Sequence, residues 1–185
     1  MNDDVGSVVQ ALAAHADAVL WLIQALAVMV GLWFLAQAGL RLVQLSRGGR
    51  GGGHGQQWGG AAPVGGVVIG SLLINFGVTV SSTVQSMFGD EVAYSSIISY
   101  SQQVDFGAGE WKMALKGLAA LVAVFGAYAI FEGFLFWKKC ADGQSGQDYF
   151  RKGLTHVVGG AAAVNIAGTI TLLANTASVN LKAYF

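Results

Sequence analysis

The chain has 185 residues, which is in the one-domain range, and ten acidic residues balance ten basic ones. Only 11% of the residues are charged, less than half of the roughly 25% that is usual in soluble proteins, and the mean hydropathy is +0.56. A soluble all-α protein needs charged outer faces, so this composition excludes that class and predicts an integral membrane protein.

The first residues, MNDDVGSVVQ, carry acids where a secretory signal carries lysines, so we expect no standard signal peptide. Cys140 is the only cysteine, which excludes an intrachain disulfide and any CxxC metal or redox site.

Four apolar runs follow in chain order, at residues 18–40, 64–88, 117–137 and 154–179. The first is about 34 Å long at ~1.5 Å per residue, enough to cross a hydrocarbon core of about 30 Å. The prediction is an all-α integral membrane fold with four transmembrane helices in two tandem hairpins. Its parts are a first hairpin with its leader (1–89), an acidic external connection (90–110) and a second hairpin (111–185).

Basic residues cluster in the two turns that close these hairpins. They are Arg41, Arg47, Arg50, Lys138, Lys139, Arg151 and Lys152. Short loops rich in Lys and Arg stay in the cytoplasm, so we expect both turns on the cytoplasmic side and both termini outside.

The two halves of the chain resemble each other. GSLLINFGVT at residues 70–79 aligns without gaps with GAAAVNIAGT at residues 160–169. The shared positions are Gly70 with Gly160, Asn75 with Asn165, and Thr79 with Thr169. GLWFLAQAGLRL from Gly31 resembles GAYAIFEGFLFW from Gly126 if one gap is allowed. These matches predict a parallel repeat, and chance similarity between glycine-rich apolar helices is the alternative.

Small residues and two amides lie in the apolar runs. The small residues expected at a helix-packing or oligomer interface are Gly66, Gly70, Ala119, Ala123, Ala127, Gly159 and Gly160. Such residues let helix backbones approach closely in lipid, either within one chain or between copies. Asn75 and Asn165 are expected to be buried and to hydrogen-bond between helices, with a substrate path as the alternative.

Glu132 is the only acidic residue inside a predicted span. Ionisable groups in a membrane are costly and therefore candidates for function, here in proton or ion binding. The alternative is that Glu132 pairs with Lys138 or Lys139 at the cytoplasmic end.

The basic turns are the candidate contact for lipid headgroups or nucleic acid, through Arg47, Arg50, Lys138, Lys139, Arg151 and Lys152. The RGGRGGG segment has the composition of flexible nucleic-acid-binding segments, and a plain positive-inside turn is the alternative. The sequence contains no histidines with metal-ligand spacing, no P-loop and no nucleophile–base grouping. We therefore expect neither an enzyme nor a metal site. No cofactor is expected, and bound phospholipid is left open.

The second half resembles a known group of proteins. AVFGAYAIFEGFLFWKK, the polar turn and GLTHVVGGAAAVN resemble small inner-membrane proteins of type IVB secretion and IncI-type conjugation systems. These are the Dot/Icm components of the IcmC and IcmD kind and the conjugal transfer protein TraQ. The resemblance covers residues 111–175. Each half is also similar to the pilin of type IV secretion systems, a two-helix hairpin with a basic turn. The missing signal sequence and the acidic connection depart from that pilin pattern.

This resemblance implies a non-enzymatic, oligomerising subunit of an apparatus that transfers DNA or protein between cells. It would be a multi-pass protein of the bacterial inner membrane with periplasmic termini, or a subunit drawn from there into an extracellular pilus. Its partners would be the bilayer, further copies, other secretion subunits and, transiently, nucleic acid, with no small-molecule substrate. The alternatives are a small transporter or holin-like channel that uses Glu132 and the asparagines, and a membrane anchor that recruits nucleic acid.

Overall fold

The computed structural model describes residues 11, 15–46, 61–89, 92–101, 112–144 and 146–176. The leader and the RGGRGGG loop, including Arg47 and Arg50, lie outside these residues. The described part is helical, without strands, which confirms the predicted all-α class. Its helices are α1 (Ala16–Ser46), α2 (Ala61–Ile74), α3 (Phe76–Phe88), α4 (Ile97–Ser101), α5 (Lys112–Ala141), α6 (Gly146–Val164) and α7 (Ile166–Thr176).

The two long helices, α1 and α5, have the length and composition of membrane spans. They contain 31 and 30 residues, which gives each about 45 Å at ~1.5 Å per residue. Large apolar side chains of α1 face outward, with Trp21 72% and Trp33 63% exposed. A helix that is apolar all round is stable when lipid, not water, surrounds it. These two helices match the first and third predicted spans.

The second and fourth predicted spans are bent, which corrects the expectation of four continuous helices. α2 and α3 meet at Asn75 with a bend of 90°, and α6 and α7 meet at Asn165 with a bend of 95°. The described chain therefore has two helices that could cross a membrane, or up to four if each bent pair counts as one span. We call Asn75 and Asn165 the elbows.

α1 and α2 form a first hairpin that is closed by backbone contact between glycines. A Cβ atom placed on Gly31 would lie 2.7 Å from the Gly70 carbonyl oxygen, and one on Gly70 would lie 2.9 Å from the Gly31 carbonyl oxygen. Real Cβ atoms do not come that close, so only glycine permits this approach. Farther toward the basic turn, Gly66 faces Ala38, which shows that the two helices run antiparallel.

α5 and α6 form a second hairpin with the same kind of seam. A Cβ atom on Gly126 would lie 2.6 Å from the Gly160 carbonyl oxygen, and the reverse distance is also 2.6 Å. Gly133 and Gly153 repeat the approach toward the turn. The positions that the sequence alignment pairs, Gly70 with Gly160 and Gly31 with Gly126, thus occupy the same place in the two seams.

The hairpins pack against each other around the first elbow. Phe76 is fully buried there, with its ring edge-on to Tyr94 at 5.7 Å and to Phe131 of α5 at 6.2 Å between centroids. The Tyr94 hydroxyl donates a 2.9 Å hydrogen bond to the Leu20 carbonyl oxygen of α1. Tyr94 thus ties the short central connection to the first hairpin, and α4 in the same connection packs against α5 of the second.

The two neighbouring glycines of α6 give a matched test of the seam. In Gly160→Ala the new Cβ would lie 2.6 Å from the Gly126 carbonyl oxygen, so we expect overpacking to lower the free energy of unfolding by about 1–3 kcal/mol. A Cβ atom on Gly159 would point into open space, with no atom of another described helix within 4 Å. Gly159→Ala should therefore be neutral or stabilise the helix by up to about 1 kcal/mol. Thermal unfolding in mild detergent measures both, and equal effects of the two changes would contradict the seam.

Candidate functional site

The small residues expected at an interface are mostly used inside the chain. Six of the seven expected residues are buried between helices of the same molecule. They are Gly66, Gly70, Ala119, Ala123, Ala127 and Gly160. Gly159 is the exception among the seven expected positions, because it faces outward. Any contact with another copy must therefore use other parts of the outer surface.

The elbows satisfy their backbone groups with a threonine. The Thr79 hydroxyl lies 3.0 Å from both the Leu72 and Asn75 carbonyl oxygens. The Thr169 hydroxyl lies 2.7 Å from the Ala162 carbonyl oxygen and 2.9 Å from that of Asn165. In a straight helix a residue lies about 10.5 Å along the axis from the seventh residue before it, so the longer-range bond requires the bend. A helix carbonyl freed by the bend is thus paired, as it must be in lipid.

The two asparagines have different environments, and one of them corrects the sequence prediction. Asn75 is exposed, and its amide donates a 3.1 Å hydrogen bond to the Ser71 carbonyl oxygen of its own helix, so it is not a buried interhelical amide. Asn165 is fully buried, and its side-chain oxygen accepts a 2.8 Å hydrogen bond from the Gly168 backbone N–H. That bond caps the first turn of α7, as asparagine commonly does at a helix start.

A partly buried cluster of charges joins the hairpins near their basic turns. Asp142 follows α5 and accepts hydrogen bonds from Lys138 and from Arg41 of α1, the latter at 2.6 Å. Lys138 is only 4% exposed, and its ammonium lies 5.2 Å from the Phe34 ring centroid of α1. Gly66 of α2 lies beside the lysine stem at ordinary van der Waals distance, since a Cβ atom there would be 3.7 Å from the Lys138 Cε.

The position of Lys138 corrects the expectation that it faces headgroups or nucleic acid. Its side chain crosses from the second hairpin into the groove of the first, where Asp142 balances its charge. A buried lysine needs such a partner because the unpaired ion is costly to remove from water. Lys138 is therefore part of the core, whereas the neighbouring Lys139 is exposed.

The same cluster shifts the pKa of Asp142. Partial burial by itself raises the pKa of this carboxyl, but the hydrogen bonds and positive charges of Lys138 and Arg41 outweigh that effect and hold the pKa below its usual value. A carboxyl with a lower pKa in the folded chain stabilises the fold at neutral pH. That stabilisation is lost as the pH falls through the lowered pKa.

We therefore expect Asp142→Asn to separate the hairpins' basic ends. Loss of the carboxylate leaves Lys138 buried without a counter-ion, which should lower the free energy of unfolding by about 3 kcal/mol at pH 7. The difference from the unchanged chain should shrink at strongly acidic pH, where Asp142 is protonated in both states. Unfolding in detergent across a pH series measures this.

Asp148→Asn is the control, because it removes the same charge from an exposed position in the first turn of α6. It should cost about 1 kcal/mol or less. A pH-independent effect of Asp142→Asn, or equal effects of both changes, would show that the cluster does not hold the hairpins together.

Glu132 has a histidine as its partner, in place of the lysines considered from the sequence. The carboxylate lies 3.8 Å from His156 Nε2, and both side chains are about one-third exposed on the outer face of the second hairpin. His156 Nδ1 lies 2.8 Å from the Lys152 carbonyl oxygen, which can only accept, so Nδ1 carries a proton. The 3.8 Å separation is within ion-pair distance but too long for a direct hydrogen bond.

Basic and aromatic residues form a second polar feature on the same face. Lys139 and Lys152 both lie over the Tyr149 ring, each 5.6 Å from its centroid. Arg151 is exposed on another side of α6. Phe136 connects this group to the Glu132–His156 pair on the same face. Its ring centroid lies 5.0 Å from that of His156, edge-on, and 6.1 Å from that of Tyr149, on which it stacks.

A groove lies between the end of α3 and α7. Its volume is about 630 Å³. It is lined by Met87, Phe88, Ala167, Gly168, Thr171, Leu172, Asn175 and Thr176. The asparagines and Glu132 are not brought together at this groove or elsewhere among the described contacts. Asn165 follows Val164, which lies beside Gly126, whereas Glu132 lies near His156, closer to the basic turn.

Sequence reasoning missed three of these features: the Asp142 cluster, the Glu132–His156 pair and the threonine at each elbow. A signal existed only for the last, because Asn and Thr recur four residues apart in both aligned segments. Comparison with known proteins adds no identification, since no family model, curated protein or solved structure matches this chain.

Proposed function

We propose that this chain is a non-enzymatic, oligomerising membrane subunit of a type IV conjugation or secretion apparatus that transfers DNA or protein between cells. The observation that carries the proposal is the pair of glycine-closed hairpins, each with its basic turn at one end. A pilin-like hairpin is the building block that the sequence resemblance implies. This chain would supply two such blocks in one molecule.

The matching geometry of the hairpins supports a duplicated origin. Each has a glycine–glycine contact at aligned positions, a single asparagine at the elbow and a threonine four residues later that bonds back across the bend. Unrelated glycine-rich helices have no reason to share all three features in the same order. A tandem duplication of one hairpin accounts for them together.

The outer surface, not the seams, would provide the contacts of assembly. The seam glycines are enclosed within each hairpin, while aromatic side chains such as Trp21, Trp33 and Phe125 face outward. Lipid covers such a surface in a single copy, and neighbouring subunits would replace part of that lipid in an assembly. Because the ion cluster joins the hairpins, the chain would enter the assembly as one unit.

Gene deletion in the host tests the proposed role. We expect deletion to abolish transfer of DNA or protein to recipient cells, and a plasmid copy to restore it. A Glu132→Gln copy should restore transfer as well, because the proposal gives this carboxylate no essential part. Unchanged transfer after deletion would contradict the proposal. Loss of an ion flux in Glu132→Gln, with the protein still present in the membrane, would favour the channel alternative.

The proposed location is the inner membrane, with both basic turns in the cytoplasm and both termini in the periplasm, as the distribution of Lys and Arg favours. Single cysteines at His54 and Ser95, introduced into a Cys140→Ser chain, test this orientation. In intact cells a membrane-impermeant maleimide should label position 95 and label position 54 only after permeabilisation. Labelling of position 54 in intact cells would reverse the orientation.

A further inference from the structure

The outer face of the second hairpin carries an organised cationic site near the basic turn. Lys139 Nζ lies 5.3 Å from the Phe136 ring centroid and 5.6 Å from that of Tyr149, and Lys152 Nζ lies 5.6 Å from the Tyr149 centroid. The two rings are stacked with an interplanar angle of 20°. One aromatic platform therefore holds two ammonium groups.

These two lysines differ from Lys138 in lacking an acidic partner. In the part of the chain that the structure describes, Asp142 pairs with Lys138 and Arg41, and no carboxylate is paired with Lys139 or Lys152. Each cation–π contact is worth about 0.5–1 kcal/mol at an exposed site, but two like charges on one ring also repel each other. An anion close to both ammonium groups would be attracted by each of them.

We propose that this site binds the phosphate group of an anionic phospholipid in the leaflet on the side of the basic turns. The site would be formed by Lys139, Lys152 and the Tyr149 ring. The inference depends on the membrane location of the second hairpin and not on the secretion role.

The side of α5 that continues from Lys139 toward the start of the helix is apolar and matches the acyl chains of a lipid. At 100° per residue, positions 125, 128, 132, 136 and 139 share one side of α5. Phe125 is 70% and Tyr128 50% exposed on that side, about 16–21 Å from Lys139 along the helix, which is comparable with one leaflet of a ~30 Å core. Acyl chains would therefore run over these rings.

The polar pair of Glu132 and His156 lies on this face between the lysines and the exposed rings. Glu132 is about 10 Å along α5 from Lys139, and His156 faces it from α6. Beyond them Gly159 leaves open space beside the helix, which gives an acyl chain room to lie close to the backbone.

Nucleic acid is the competing source of phosphate, and the position of the site favours lipid. The lysines continue directly into an apolar face of a helix that could span the membrane. A nucleic-acid site would extend along charged residues, but Arg151 points to another side of α6 and Lys138 is buried. One phosphate, with an apolar surface on one side only, is what the described residues can accommodate.

Native mass spectrometry of the full-length chain in mild detergent, with phosphatidylglycerol or phosphatidylcholine added, tests the site. The unchanged chain should retain phosphatidylglycerol preferentially. Loss of each lysine should weaken retention by about fivefold, so that Lys139→Gln with Lys152→Gln weakens it by about 25-fold. Tyr149→Leu keeps every charge but removes the platform, and should also reduce retention, by about threefold or more.

Arg151→Gln is the matched control, since it removes one charge from the residue next to Lys152 on another side of the same helix. It should change retention by less than about twofold, because a single bound lipid in detergent senses local contacts more than the overall surface charge. Equal effects of Arg151→Gln and Lys152→Gln would overturn the proposal in favour of diffuse attraction. Equal retention of the two lipids would also overturn it.

Two competitors separate the sources of phosphate. Inorganic phosphate at millimolar concentration should not displace the lipid, since it lacks the acyl chains, and full displacement would mean a site for free anions. A short single-stranded DNA oligonucleotide should bind no more weakly to the double lysine variant than to the unchanged chain. Loss of oligonucleotide binding, with phosphatidylglycerol retention unchanged, would assign the lysines to nucleic acid instead.

Discussion

Close contact between helix backbones is the interaction on which this fold depends. Lipid tails are as apolar as leucine side chains, so no hydrophobic effect draws helices together inside a bilayer, and packing must do so. The glycine pairs Gly31–Gly70 and Gly126–Gly160 bring the helices of each hairpin within backbone contact. The two hairpins are joined near their basic turns by the ion cluster of Asp142 with Lys138 and Arg41.

A second constraint of the bilayer, that every backbone polar group must be paired, has to be satisfied at the elbows. A bend of 90° in an apolar helix would leave a carbonyl group without a partner, and the threonine hydroxyl four residues after each asparagine supplies one. The bends also divide each apolar run into two parts of different character. α2 lies in a hairpin seam, whereas α3 has an apolar side with Val80 and Val84 buried and serine and glutamine side chains on the other.

The helical class, the apolar runs and the aligned glycines could be predicted from the sequence because composition and spacing carry them directly. The elbows could not, since NFGVT and NIAGT are compatible with a continuous helix, and the hydroxyl-to-carbonyl bond that stabilises the bend forms only after bending. The burial of Lys138 and the exposure of Lys139 also depend on tertiary structure. Both follow Trp137 in the sequence, but only one points into the groove of the other hairpin. The partner of Glu132 likewise depends on the register between α5 and α6, which single-sequence reasoning does not provide.

The central claim is that two equivalent hairpins end in bent helices, and the distance across each elbow tests it most directly. Spin labels at the exposed positions Val64 and Met87 should be about 24 Å apart in lipid nanodiscs if the helices are bent, and about 35 Å apart if they are continuous. For Leu154 and Leu172 the corresponding distances are about 19 Å and about 27 Å. Pulsed electron paramagnetic resonance that gives the shorter distance in both hairpins agrees with the account. The longer distance in both would mean four straight spans, and a bend in only one hairpin would contradict their equivalence.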